Sequence, residues 1–266
     1  MNKLLYILVV FTFLTSCSEY QKTLKGEDIG AKFKMGEEFY NAGEYAKANA
    51  LFAQIVPNYR GKPQAEKLMY LYSNTFYKTG DYYVAGYQFE RFASSYPKSE
   101  KLEEASFLSA KSYYMLSPVY SKDQKETKEA IEKLQDFINL FPESEYVPEA
   151  NKLTQELVYK LEKKAFEIAK QYDIISDYEA AIKSFDNFIF EFPGSPFLED
   201  ALFYRLDSAF KLADNSIERK RKARLETAKE YYIQFKKDYA NSEHIEDVEE
   251  MAAKIEEELQ NYSSQS

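Results

Sequence analysis

Helix-sized stretches of this chain carry the same residues 37 positions apart. Phe33, Tyr70 and Phe107 align, as do Gly36, Ser73 and Ala110, then Phe39, Phe76 and Tyr113, then Tyr40, Tyr77 and Tyr114. A fixed period of this length marks stacked copies of one supersecondary unit, each burying its apolar face on the next. The first copy predicts an amphipathic helix from about Ile29 to Tyr40 and a break at Asn41-Ala42-Gly43-Glu44, with Gly43 suited to a left-handed cap. A second helix then runs from Tyr45 to Val56. The next copy reads Gln64 to Lys78, a break at Thr79-Gly80-Asp81, then Tyr82 to Ser95. Only 8 Gly and 8 Pro in 266 residues leave few other interruptions.

The second helices end on a shared signature: Tyr96-Pro97-Lys98-Ser99, Phe141-Pro142-Glu143-Ser144 and Phe192-Pro193-Gly194-Ser195. Tyr239-Ala240-Asn241-Ser242 is a degraded copy, and Tyr59-Arg60-Gly61 opens the series. Proline stops a helix, and a serine two residues later can cap the next one. The aromatics of these signatures are 37, 45, 51 and 47 residues apart, so later units carry insertions, among them the loop 117–124 and a long helix from about Val147 to Tyr172. Ser73, Phe76, Gly80, Ala85, Phe89 and Pro97 fit the tetratricopeptide pattern, as do Ala169, Tyr172, Ser176, Ala181, Phe185 and Pro193. The expected fold is all-α: a solenoid of about five tetratricopeptide-like hairpins with a capping helix from Glu243 to Tyr262. Units 1–3 occupy residues 29–145, and units 4–5 with the cap occupy 146–262.

The first residues read as an address. Lys3 is followed by an apolar run from Leu4 to Leu14, too short to span a bilayer, and then by Leu14-Thr15-Ser16-Cys17. Small residues before a cysteine at the end of such a run look like a bacterial lipobox, with residues 1–16 removed and Cys17 acylated. The alternative is an ordinary signal peptide in which Cys17 is incidental. Acyl chains on Cys17 would hold the protein to a membrane, with residues 17–28 as a short polar tether. Cys17 is the one cysteine of the chain, so no intramolecular disulfide is possible.

Most of the 24 Tyr and 20 Phe are expected in the core. The fifth, ninth and twelfth places of each first helix are expected on the inner wall of the superhelix instead. They read Phe33, Glu37 and Tyr40, then Tyr70, Asn74 and Tyr77, then Phe107, Lys111 and Tyr114. Tyrosine offers apolar area with a polar tip and little rotamer entropy, which suits a surface gripping extended peptide. In the alternative the superhelix is tight and these rings pack on one another. The basic run Arg219, Lys220, Arg221, Lys222 and Arg224 is either a solvated helix face or a docking patch for an acidic partner.

Other chemistry is poorly supplied. A net charge of -9 argues against nucleic-acid binding, which needs a basic face. His244 is the single histidine, so a site or relay built on several histidines is not available, and there is no glycine-rich phosphate loop. No enzyme activity, metal or cofactor is expected.

Taken together, Leu14-Thr15-Ser16-Cys17, the stretch Tyr72-Ser73-Asn74-Thr75-Phe76-Tyr77-Lys78, Phe92-Ala93-Ser94-Ser95-Tyr96-Pro97, and then Asp123-Gln124, Thr127, Ala130 and Phe137-Ile138-Asn139-Leu140-Phe141-Pro142 resemble the BamD (ComL) family of outer-membrane assembly lipoproteins. The resemblance covers nearly the whole mature chain. It implies a non-enzymatic adaptor at the outer membrane, facing the periplasm. Its N-terminal units would receive unfolded β-barrel substrates through a C-terminal signal that typically ends in an aromatic. Its C-terminal units would hold the POTRA domains of a barrel-forming assembly protein. Two features depart from the family pattern: Ala240 stands where the last proline would be, and the tail after Ser242 is long and acidic. A different tetratricopeptide envelope scaffold, coordinating cell-wall synthesis or division, is the competing reading.

Overall fold

The computed structural model describes residues 19–264, and among these every regular element is helical. Eleven long helices follow one another: α1 (Ile29–Asn41), α2 (Tyr45–Ile55), α3 (Ala65–Thr79), α4 (Tyr82–Ser95), α5 (Leu102–Leu116), α6 (Lys125–Leu140), α7 (Val147–Ile174), α8 (Tyr178–Glu191), α9 (Leu198–Asp214), α10 (Glu218–Asp238) and α11 (Ile245–Ser264). They form five consecutive helical hairpins and a closing helix, as the period requires. The lipobox and Cys17 lie outside the described residues. Within the segment expected as a tether, residues 19–25 are helical, and the Tyr20 ring stands edge-on to Phe39 with centroids 5.3 Å apart. No helix among the described residues is long and apolar enough to cross a membrane.

The hairpin turns follow from one backbone requirement. The α1–α2, α3–α4 and α7–α8 turns each place a residue in the left-handed region: Gly43 (φ 79°), Gly80 (φ 81°) and Ser176 (φ 63°). At each, the next amide reaches back five residues: Glu44 N–H to Phe39 O (2.8 Å), Asp81 N–H to Phe76 O (2.9 Å) and Asp177 N–H to Tyr172 O (2.9 Å). This closes the last turn of the first helix and satisfies carbonyls left over at its end. Asp81 and Asp177 then accept the amides of Val84 and Ala180 and so start the second helices.

The chain divides into two compact units, with the boundary between Leu157 and Val158 inside α7 and residues 119–122 assigned to the second. In the first unit, Phe52 and Ile55 meet Phe33, Tyr59 and Leu68. Phe89 and Phe92 meet Met69 and Ala105, and Leu134 and Phe137 meet Phe107 and Leu153. The small residue at the eighth place sets the helix spacing: a Cβ on Gly36 would lie 2.4 Å from the Phe52 ring. In the second unit, Phe185 and Phe188 close on Phe166 and Ala201, and Leu206, Leu225 and Phe235 close on Val248 and Ile255.

Candidate functional site

Of the three fifth-place aromatics, Phe33 and Phe107 belong to the core and Tyr70 is half-buried. Phe33 and Phe107 are 7% and 2% exposed, which corrects the expectation that they face the inner wall. The reason lies at the junctions between hairpins. Tyr59 stacks on Phe33 (5.4 Å, 22°), Tyr146 on Phe107 (4.9 Å, 13°), Phe197 on Phe166 (5.2 Å, 16°) and His244 on Phe203 (4.1 Å, 10°), while the Lys101 ammonium sits 5.6 Å above the Tyr70 ring. Lys101, Tyr146, Phe197 and His244 each stand two residues after the signature serine. The hydroxyls of Ser99, Ser144, Ser195 and Ser242 accept their backbone amides at 3.0, 3.4, 3.2 and 3.0 Å. Each serine thus fixes a residue that covers the ring of the hairpin before it.

The twelfth-place tyrosines behave differently. Tyr40, Tyr77 and Tyr114 are half-buried. Tyr40 meets Tyr45 edge-on at 5.4 Å, and Tyr77 meets Tyr82 in the same way at 5.5 Å, one period later. The Tyr114 hydroxyl donates to Glu156 Oε2 at 2.6 Å. That bond, then burial, pushes its pKa up to about 12, and burial first of all raises those of Tyr40 and Tyr77. All three therefore present neutral O–H groups at physiological pH.

Between them the ninth-place residues form rungs to the next first helix. Glu37 pairs with Lys67, and Lys111 Nζ pairs with Glu149 Oε1 at 2.6 Å. The second pair spans more of the sequence than the first because the loop inserted after Leu116 lies between its partners. The middle rung is Asn74, whose counterpart, at the offset that joins Glu37 to Lys67, is Glu104. That carboxylate is already engaged, accepting from Tyr70 Oη at 2.7 Å and from Lys101 Nζ at 2.8 Å. Burial alone would raise the Glu104 pKa, but these two donors outweigh it and hold the carboxyl below its usual range. Tyr70 moves far up, chiefly from burial and then from its bond to Glu104. Asn74 is 7% exposed, its Nδ2 donates a long 3.4 Å bond to Tyr70 Oη, and its Oδ1, itself buried, has no partner among the described residues.

Glu149, Glu156 and Lys67 complete this face without having been singled out in the sequence, and Glu104, which reads there as a solvated helix-face acid beside Glu103, joins them through its bonds to Tyr70 and Lys101. The signal for two of the rungs was present as opposite charges at matching places on successive first helices. Tyr114 to Glu156 follows no such repeat.

The basic run of α10 divides. The Arg221 guanidinium binds Glu258 through Nε and Nη2 at 2.7 and 2.9 Å, and Asp214 through Nη2 at 2.9 Å. Arg224 binds Glu179 and donates to Ser216 Oγ at 2.6 Å. These two arginines tie α10 to α11, α9 and α8, whereas Arg219, Lys220 and Lys222 are exposed.

Comparison with known proteins supplies the family. Among curated proteins no relative matches. Two solved structures of a Podosopora anserina protein described as a putative kinesin light chain with nearly identical TPR-like repeats are similar to this chain, one of them a variant form. They share 14% and 13% identity, cover 79% and 86% of this chain and 93% and 95% of their own, and superpose with TM-scores of 0.33 and 0.32. The family model described as YfiO, outer membrane lipoprotein, matches residues 28–183, more than half of the sequence and all of the face described above. The chain belongs to the YfiO outer membrane lipoprotein family.

Proposed function

We propose that the protein is a lipid-anchored adaptor of outer-membrane β-barrel assembly, held through Cys17 and facing the periplasm. Its first unit receives extended segments of unfolded barrel proteins on the face bearing Tyr40, Tyr70, Asn74, Tyr77, Lys111 and Tyr114. Its second unit docks on the POTRA domains of the barrel-forming subunit, with Arg219, Lys220 and Lys222 as the exposed cations of that surface.

The observation that carries the reading is the unpaired Asn74 Oδ1. A buried acceptor without a partner costs about 1–3 kcal/mol, and native proteins hold few of them. A main-chain N–H of an extended peptide is the donor such an acceptor suits once the buried Asn74 amide turns outward, and the flanking tyrosine rings and hydroxyls suit the side chains around it. Charge adds a restriction. Glu104, Glu149 and Glu156 surround the face, and Lys111 is already paired with Glu149. Recognition accordingly rests on main chain and aromatic contacts more than on a terminal carboxylate.

The test is co-purification from detergent-solubilised membranes combined with depletion. A POTRA-bearing barrel protein in the pull-down, and falling levels of outer-membrane barrels while other lipoproteins persist, are the expected results. Recovery of cell-wall synthases instead, with barrel levels unchanged, would overturn the proposal.

A further inference from the structure

His244 occupies a position whose structural task needs no imidazole. At the two preceding junctions the ring that covers the fifth-place aromatic is Tyr146 or Phe197, and both stack nearly flat, as His244 does on Phe203. What the imidazole adds is a ring nitrogen. Nε2 lies 2.9 Å from Asp200 Oδ1, and one ligand atom each from Asp200, Glu243 and His244 fall within 4.8 Å of one another. The ring cannot swing away easily. Its plane is held by Phe203 and its backbone amide by Ser242 Oγ.

Two of these three residues, Asp200 and Glu243, line a cleft of about 580 Å³, together with Glu199 and Asp238 among others, and His244 stands beside its wall. The cleft is bordered by residues at the N-termini of α9 and α11, whose partial positive charge opposes a cation. Four carboxylates on the cleft wall oppose that in turn. From this the geometry points to a divalent transition-metal site of the Zn²⁺ class, with His244 Nε2, Asp200 and Glu243 as protein ligands and water completing the shell from the cleft.

One nitrogen and two carboxylate oxygens are a donor set that Zn²⁺ accepts, with bonds near about 2.0–2.2 Å. On a tetrahedral ion two such atoms stand about 3.3 Å apart, so Asp200 must turn outward by a few tenths of an ångström. It is free to do so, its side chain being 42% exposed. Binding uses the Nε2 lone pair and therefore selects the tautomer with its proton on Nδ1. The site is made by the fold alone: Asp200 and His244 are 44 residues apart in sequence. It is independent of the peptide-binding proposal, being built entirely within the second unit.

Calorimetric titration of the chelator-treated full chain with Zn²⁺ tests it, using His244→Phe, which keeps the stacked ring, and Asp200→Asn. Expected is one saturable equivalent in the parent protein and at least tenfold weaker binding in both variants, with the His244→Phe melting curve close to the parent's. No saturable equivalent in the parent, or unchanged affinity in the variants, would overturn the assignment. Should His244→Phe fail to fold by circular dichroism, Asp200→Asn decides alone, since that carboxylate is at the surface.

Discussion

The Tyr146 ring lies flat on Phe107, with centroids 4.9 Å apart and planes 13° apart, so that a residue from the next junction seals a ring of the preceding hairpin. The same relation joins Tyr59 to Phe33 and Phe197 to Phe166. It separates two sets of aromatics that share one period. Rings at the fifth place hold hairpin to hairpin, and tyrosines at the twelfth place keep a polar edge outward.

Stability should register that difference. Phe107→Ala removes a ring that is 2% exposed and should cost about 3–5 kcal/mol. Tyr114→Ala loses a half-buried ring and one hydrogen bond to Glu156, at a smaller cost of about 1–3 kcal/mol. Urea denaturation of the two variants measures both values. Equal losses would mean that Tyr114 is core as well.

Helix spacing in the first hairpin depends on an absent methyl group. Gly36→Ala would place a Cβ 2.4 Å from Phe52 Cε1, on a ring with no exposed surface. Helix propensity favours alanine by about 1 kcal/mol, but overpacking of a tight core costs about 1–3 kcal/mol. Net destabilisation is expected, with its thermal midpoint lowered. Gly86→Ala meets the half-buried Tyr113 ring at 3.0 Å and Ser112 Cβ at an ordinary 3.5 Å, and should cost less.

At the α7–α8 turn the relation reverses. Ser176 holds φ 63° where Gly43 and Gly80 hold the corresponding turns. A side chain in that region costs about 1–2 kcal/mol relative to glycine. Ser176→Gly should therefore stabilise the protein by about 0.5–1 kcal/mol after the added chain entropy. A lower melting temperature in this variant would contradict the turn assignment.

Glu104 gives the tyrosine face a pH dependence. Its folded pKa is depressed below the ordinary 4.5, so its stabilising effect is complete above that value and is lost as pH falls through the lower one. Glu104→Gln should be less stable than the parent at neutral pH. The gap should narrow as pH drops below about 4.5, where the parent's carboxyl also becomes neutral. Denaturation midpoints at a series of pH values read this directly, and a constant gap would show that Glu104 acts without its charge.

Much of this architecture was legible before any coordinate. Period, glycine turns and the aromatic-Pro-x-Ser signature placed α1 to α4 within a residue or two, because each boundary has a local backbone cause. The assignment of Phe33 and Phe107 to the inner wall failed for the opposite reason. Their cover comes from Tyr59 and Tyr146, which lie beyond the second helix of each hairpin, and depends on how one hairpin seats on the next. The arginines of α10 show the same limit. A dense basic run reads as one patch, yet Arg221 and Arg224 are spoken for by Glu258 and Glu179, on other helices. The convergence of Asp200 on His244 likewise has no trace in local sequence.

The central claim is that Asn74 Oδ1 is left unpaired for a peptide donor. Fluorescence titration of a barrel protein's C-terminal peptide against the parent and Asn74→Leu tests it most directly, with urea denaturation of both proteins alongside. Removing a buried unpaired acceptor should leave stability equal or higher, while peptide affinity falls by about tenfold, the loss of roughly one hydrogen bond. Unchanged affinity in a stably folded Asn74→Leu protein would contradict the account.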